Sequence, residues 1–301
     1  MDLALLWIPA TLAAAAAQTA RNATQRRLTE ILGTVGATQV RFLYGFPFAV
    51  VFLLVLLPLT GERLPMPAGG FLAFLVVAAV TQILATALML AAMRERSFSV
   101  VTAYVKTEPV QVAIFGILML GDRLTPLAGL AILVATAGVL VMSVSPKGSG
   151  LTGAGARPVL LGMAAGACFA MSATSFRGAI LALDEGSFLI RATTTLVWGL
   201  GAQTAILTAW LLAFNRAALI GSLREWRASL LAGFLGALAS QFWFIGFSLT
   251  AAANVRTLAL VEVMMAQAVS RRLFSQATTT REIAGVILIV VGVGLLLAAA
   301  T

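Results

Sequence analysis

Apolar residues run through this chain in long blocks, separated by short clusters of charge or of Gly, Pro, Ser and Asn. Each block is long enough to cross ~30 Å of hydrocarbon as a helix. The pattern predicts ten spans, at about 3–20, 35–57, 70–93, 98–120 and 124–144, then 159–181, 187–214, 228–249, 253–274 and 283–300. Fold class follows directly: all-α, a polytopic membrane protein. Positions 145–158, SPKGSGLTGAGARP, have the most flexible composition in the chain. This linker leaves five spans on either side, in segments 1–144 and 159–301.

The two sets of five carry related residues in the same order. An offset of 156 residues pairs Lys106 with Glu262, Arg21 with Arg177, and Gly138 with Gly294. It also pairs Gly129-Leu130-Ala131-Ile132-Leu133 with Gly285-Val286-Ile287-Leu288-Ile289. Small shifts bring Arg41 onto Arg191 and Thr81-Gln82 onto Ser240-Gln241. Because five is odd, the second set enters the membrane from the opposite face. The expected architecture is an inverted repeat, which in many secondary transporters holds substrate near the midplane.

Composition narrows the classes. Of 301 residues, 60% are hydrophobic and 10% charged, against about 25% charged in soluble domains. The net charge of +9 is scattered through short loops, not gathered into the basic face that nucleic-acid binding needs. With ten spans, thirteen Lys and Arg residues fall on one side and three, Arg63, Arg123 and Arg177, on the other. That bias predicts a cytoplasmic basic side and non-cytoplasmic termini, in a bacterial-type inner membrane. Cys168 is the sole cysteine and histidine is absent, which excludes an intrachain disulfide, a multi-cysteine metal site and a histidine-ligated metal. No cofactor is expected. The first residues carry Asp2 and no base, so the N-terminal block reads as a retained helix, not a signal peptide.

Charge inside the spans is the sharpest signal. Lys106, Glu108 and Glu262 fall near the middle of the fourth and ninth spans, with Arg256 earlier in the ninth and Arg41 and Arg191 nearer the faces. Such residues cost ~2.5–3.5 kcal/mol to insert and turn toward a partner or a wet cavity. Lys106 and Glu108 point roughly 200° apart on a helix, so the natural partner of Lys106 is Glu262. Glu108 shares a stripe with Tyr104 and Gln111; Lys106 shares one with Thr102 and Val110. Pro109 cannot donate to the Val105 carbonyl and breaks the helix there, which a membrane tolerates beside a cavity. Candidate substrate contacts are thus Lys106, Glu108, Glu262, Tyr104, Gln82, Gln241, Trp243, Arg41 and Arg191. Each has a structural alternative: a Lys–Glu pair can simply lock two helices, interfacial arginines can snorkel, and glutamines can bond across helices. Trp7, Trp198, Trp210 and Trp226 read as interfacial anchors, whereas Trp243 lies deeper.

Glu108-Pro109, Gly121-Asp122-Arg123-Leu124-Thr125, Gly129 to Gly138-Val139, and Arg41 together resemble the EamA branch of the drug/metabolite transporter superfamily. Asp122 departs from the usual glutamate. Met264-Met265 stand where a proline is expected, and Ser275 to Thr279 replace the Gly-Glu turn. The resemblance implies a metabolite permease, often an exporter of amino acids or similar solutes. It also implies cytoplasmic termini, opposite to the charge bias. Expected partners are a small-molecule solute, the lipid bilayer and protons exchanged at Glu108 or Glu262; the expected state is a monomer or weak homodimer. Efflux of amphiphilic cations is the alternative, and a passive channel or lipid scramblase is a lesser one. An enzyme is not expected, because no nucleophile–base constellation is present.

Overall fold

The computed structural model describes residues 5–95, 101, 104–143, 156–264 and 280–300. Helices account for 89% of these, with no strand among them. In order they are α1 (Trp7–Thr60), α2 (Gly69–Glu95), α3 (Glu108–Phe115), α4 (Pro126–Ser143), α5 (Ala156–Leu181), α6 (Phe188–Phe214), α7 (Arg216–Arg224), α8 (Trp226–Leu249), α9 (Ala252–Leu258) and α10 (Thr280–Ala300). A π-helical turn, Gly116–Leu120, continues α3. Among the described residues, six helices are long and apolar enough to cross a membrane, and two shorter apolar helices, Glu108–Leu120 and Pro126–Val141, accompany them. Leu54, Leu118 and Ile287 are 63%, 75% and 55% exposed, as suits side chains that meet lipid and not water. Most of the linker, Thr102, Met265 and Ser275 to Thr279 lie outside the described residues, as do Arg96, Lys147, Arg271 and Arg272.

Two elements differ from the sequence pattern. Where a loop was expected at 21–34, α1 stays helical as far as Leu32. Arg, Leu, Gln and Glu are good helix formers, so the charge cluster marks a change of surroundings and not a helix end. The interruption comes at Gly33, with φ 65° and ψ 178°. That region of backbone space is essentially reserved for glycine, and another residue there costs about 1–3 kcal/mol. Gly33→Ala is expected to lower the thermal unfolding midpoint in detergent although a Cβ there meets nothing within 4 Å. A midpoint equal to that of the parent protein would show that the kink is dispensable. Between the seventh and eighth expected spans, the presumed loop contains α7, whose first turn is capped by Asn215 Oδ1 accepting from Ala218 N–H at 3.2 Å.

The chain forms two compact units, Met1–Ile83 with Ser175–Thr250 and Leu84–Thr174 with Ala251–Thr301. Each takes material from both sides of the linker, so the units cut across the sequence segments 1–144 and 159–301. In the first unit α1 lies on α8, where Ser229, Gly233 and Ala237 recur every four residues and allow backbones to approach. A Cβ at Gly233 would sit 2.5 Å from Tyr44 Cβ. In the second unit α4 packs on α10. A Cβ on Gly138 would meet the Gly285 carbonyl oxygen at 2.7 Å, and one on Gly292 would meet Ala135 N at 2.6 Å. Ala135, Val139, Leu260 and Ile289 form the buried cluster there.

Candidate functional site

The second unit gathers four ionisable side chains around two broken helices. Tyr104 and Val105 are helical, Lys106 and Thr107 form a turn, and α3 begins afresh at Glu108 with Pro109 in its first turn. Proline removes the N–H that would have bonded to Val105, and the chain adapts with tighter bonds. Thr107 N–H donates to the Tyr104 carbonyl at 3.3 Å, and the Thr107 hydroxyl donates to the same oxygen at 2.7 Å. Gly166 of α5 leaves room for the turn: a Cβ there would lie 3.3 Å from the Val105 carbonyl oxygen.

A matching break appears in the ninth expected span with no proline to cause it. After α9, Val263 N–H donates to Leu260 O at 3.1 Å and Glu262 N–H to Ala259 O at 2.9 Å, both three residues back. The bond from Val263 to Leu260 lies 156 residues beyond that from Thr107 to Tyr104. Here Met264-Met265 stand in the sequence where a proline was expected, and the helix tightens before them regardless. Short i→i−3 stretches inside longer helices commonly mark hinges or strained sites.

These breaks carry the charges. Lys106 Nζ donates to Glu262 Oε1. Arg256 Nε lies 3.2 Å from Glu108 Oε1, forming a second ion pair. The four side chains are only 10–17% exposed, so each charge depends on its partner more than on water. Glu108 occupies the first turn of α3 and Arg256 the last turn of α9. Each therefore faces the helix-end partial charge of opposite sign. The arrangement is neutral overall: each of the two interrupted helices contributes one base and one acid, Lys106 with Glu108 and Arg256 with Glu262.

The remaining sequence-derived candidates lie in the first unit and make their own contacts. Gln82 Oε1 accepts from Gln203 Nε2. Gln241 Nε2 donates to Thr193 Oγ1 at 2.8 Å, and Trp243 Nε1 to Gln18 Oε1 at 3.2 Å. Trp243, only 4% exposed, is a packed side chain and not a wall of open space. A Cβ on Gly236 would lie 3.5 Å from the stems of both Arg41 and Arg21, and the Arg41 guanidinium lies 5.4 Å from the Phe42 ring. Arg191 sits in the first turn of α6. Two tryptophans need correction. Trp7 is 2% exposed and so no interfacial anchor, and Trp198 lies ten residues into α6, against Phe71. A pocket of about 300 Å³ in this unit is lined by Phe52, Val55, Leu56, Leu189, Leu238 and Gln241. Its walls are apolar apart from Gln241, and it holds none of the ionic cluster; for a polar solute the cluster is the better-equipped site.

Sequence reasoning left Arg256 without a role and missed its pairing with Glu108. The 156-residue offset takes Glu108 to Met264 and Arg256 to Val100, so repeat logic had nothing to match. Their positions in the first turn of one helix and the last turn of another were the available signal. Arg21, which the repeat offset pairs with Arg177, is 8% exposed. Gln203, Gln18 and Thr193 also went unnoticed, because single polar residues in a span carry no pattern.

Long apolar helices, outward-facing leucines and isoleucines, and buried ion pairs at helix breaks define a multi-pass helical membrane protein. Residues 5–144 match the EamA-like transporter family, a family of the drug/metabolite transporter superfamily, and this match implies a membrane transporter. A solved structure described only as a crystal structure of a protein shares the fold, with a TM-score of 0.69 at 15% identity over 98% of each chain. No curated protein sequence matches the chain.

Proposed function

We propose that the protein is a secondary active transporter whose substrate site is the cluster of Lys106, Glu108, Arg256 and Glu262. The single observation that carries this reading is the coincidence of both ion pairs with both helix breaks. Discontinuous helices at the midplane supply backbone groups and dipole ends to solutes in transporters built from inverted repeats. Ten spans in two inverted halves, 1–144 and 159–301, give alternating access by nearly symmetric motions. Supporting it, the same i→i−3 bond recurs at the repeat offset.

Charge balance bears on the solute. Two acids alone would suit an amphiphilic cation, but here each acid already faces a base. A zwitterion such as an amino acid, exchanging its ends for the resident pairs, keeps the cluster neutral at every step. Export across the inner membrane, with protons exchanged at Glu108 or Glu262, completes the reading. A carboxylate that alternates between dry and wet surroundings changes its proton affinity, which is what coupling requires.

Counterflow of labelled amino acids in proteoliposomes, with and without an imposed pH gradient, tests the proposal. Expected is uptake that responds to the gradient in the parent protein and loses that response in Glu108→Gln or Glu262→Gln. Flux indifferent to both substitutions would remove the proton role. Lipid flipping without solute movement would replace the transporter reading with a scramblase.

A further inference from the structure

We propose that α7 is an interfacial arm whose outer face binds the headgroups of anionic phospholipids. The helix has two distinct sides. Leu219 and Ser222 are buried, with Ala218 and Gly221 beside them. This inner side lies on α1 beside the Gly33 kink: a Cβ on Gly221 would meet Leu32 Cδ2 at 3.2 Å, and one on Gly36 would lie 3.7 Å from Ala218 O. The Tyr44 hydroxyl donates to Ser222 O at 3.1 Å and fixes the C-terminal turn.

The other side is exposed and of mixed character. Arg216, Ile220, Leu223, Arg224 and, beyond the helix, Arg227 recur at helical spacing and are all exposed. Ile220 and Leu223 are 57% and 52% exposed between arginines. A water-facing turn would not carry them, and hydrocarbon would not accept the arginines. Such a face belongs at the boundary, apolar groups dipping inward and bases held at headgroup level. Aromatic residues mark the same level: Trp210, Phe214 and Trp226 are exposed, and the Arg227 guanidinium lies 5.3 Å from the Trp226 ring. Rings of this kind concentrate at membrane interfaces.

Three arginines in so short a segment, with Glu225 as the acid among them, select the occupant by charge. An anionic phosphodiester headgroup accepts bidentate bonds from arginine, and each base near an anionic surface is favoured by roughly fivefold. A neutral lipid surface offers no such gain.

The test uses the full-length protein in vesicles containing brominated phosphatidylglycerol or brominated phosphatidylcholine. Tryptophan fluorescence is read, and the share owed to Trp226 is taken from the difference against Trp226→Phe. Half-maximal quenching of that share is expected at a lower mole fraction of the anionic lipid, by at least the roughly fivefold that one base contributes, and 0.5 M salt should abolish the preference. In Arg216→Gln/Arg224→Gln/Arg227→Gln, the preference should vanish while solute counterflow in neutral lipid persists. Equal quenching by both lipids, the result for a face covered by protein, overturns the proposal. So does a preference that survives the triple substitution. Should the triple variant fail to fold, the comparison of the two lipids on the parent protein decides by itself.

Discussion

Replacing Lys106 with methionine is expected to abolish solute counterflow and to lower the unfolding midpoint sharply. Methionine keeps the length and apolar stem of lysine but removes the ammonium that bonds to the Glu262 carboxylate, 12% exposed. Removing one member of a buried pair typically costs about 3–5 kcal/mol, because the remaining charge has lost both water and counter-ion. The neighbouring base does not compensate, since Arg256 is already engaged by Glu108 at 3.2 Å. A double exchange, Lys106→Glu with Glu262→Lys, distinguishes the two roles such a pair can have. If the pair only fastens two spans, reversing it restores both stability and transport. If the side chains receive the two ends of a zwitterion, reversal restores the midpoint and leaves transport defective. A Lys106→Met protein as stable and active as its parent would remove the cluster from the mechanism altogether.

The second large effect is expected where α4 meets α10. Gly292→Val builds a Cβ 2.6 Å from Ala135 N, and Gly138→Val builds one 2.7 Å from the Gly285 carbonyl oxygen. Both obstacles are backbone atoms of a packed helix, so neither can rotate away as a side-chain tip would. Overpacking typically costs about 1–3 kcal/mol, and an unyielding helix places these variants at or above the upper end. Gly294 is the internal control. It is the counterpart of Gly138 at the repeat offset, yet a Cβ there meets nothing within 4 Å. Gly294→Val should stay within about 0.5 kcal/mol of the parent protein, as surface substitutions do. Thermal midpoints of the three variants in one detergent make the comparison. Equal losses at positions 138 and 294 would mean that the close approach of α4 to α10 contributes nothing to stability.

That pair of glycines shows how far the sequence reaches. By itself the chain declares its solvent, because long apolar blocks broken by sparse charge can satisfy their backbone only as helices in lipid. It also declares the proline-induced break at Pro109, a local matter of a missing N–H. The Lys106–Glu262 pairing was legible too, through two unusual charges at one shared offset. Equal spacing, however, does not make equal surroundings.

Only the tertiary structure decided which glycine is pressed against a neighbouring backbone and which lies open. It alone placed Arg256 on Glu108, tightened the ninth span without a proline, and kept α1 helical through a cluster of charge as far as Gly33. It alone drew both compact units from both sides of the linker and gave α7 a buried side and a basic, apolar outer one. The reason is geometric. Sequence periodicity records what each residue prefers locally and which solvent it can bear, whereas contacts between helices depend on rotation, tilt and depth. Those are set jointly by every packed surface in a unit, and no single span contains that information.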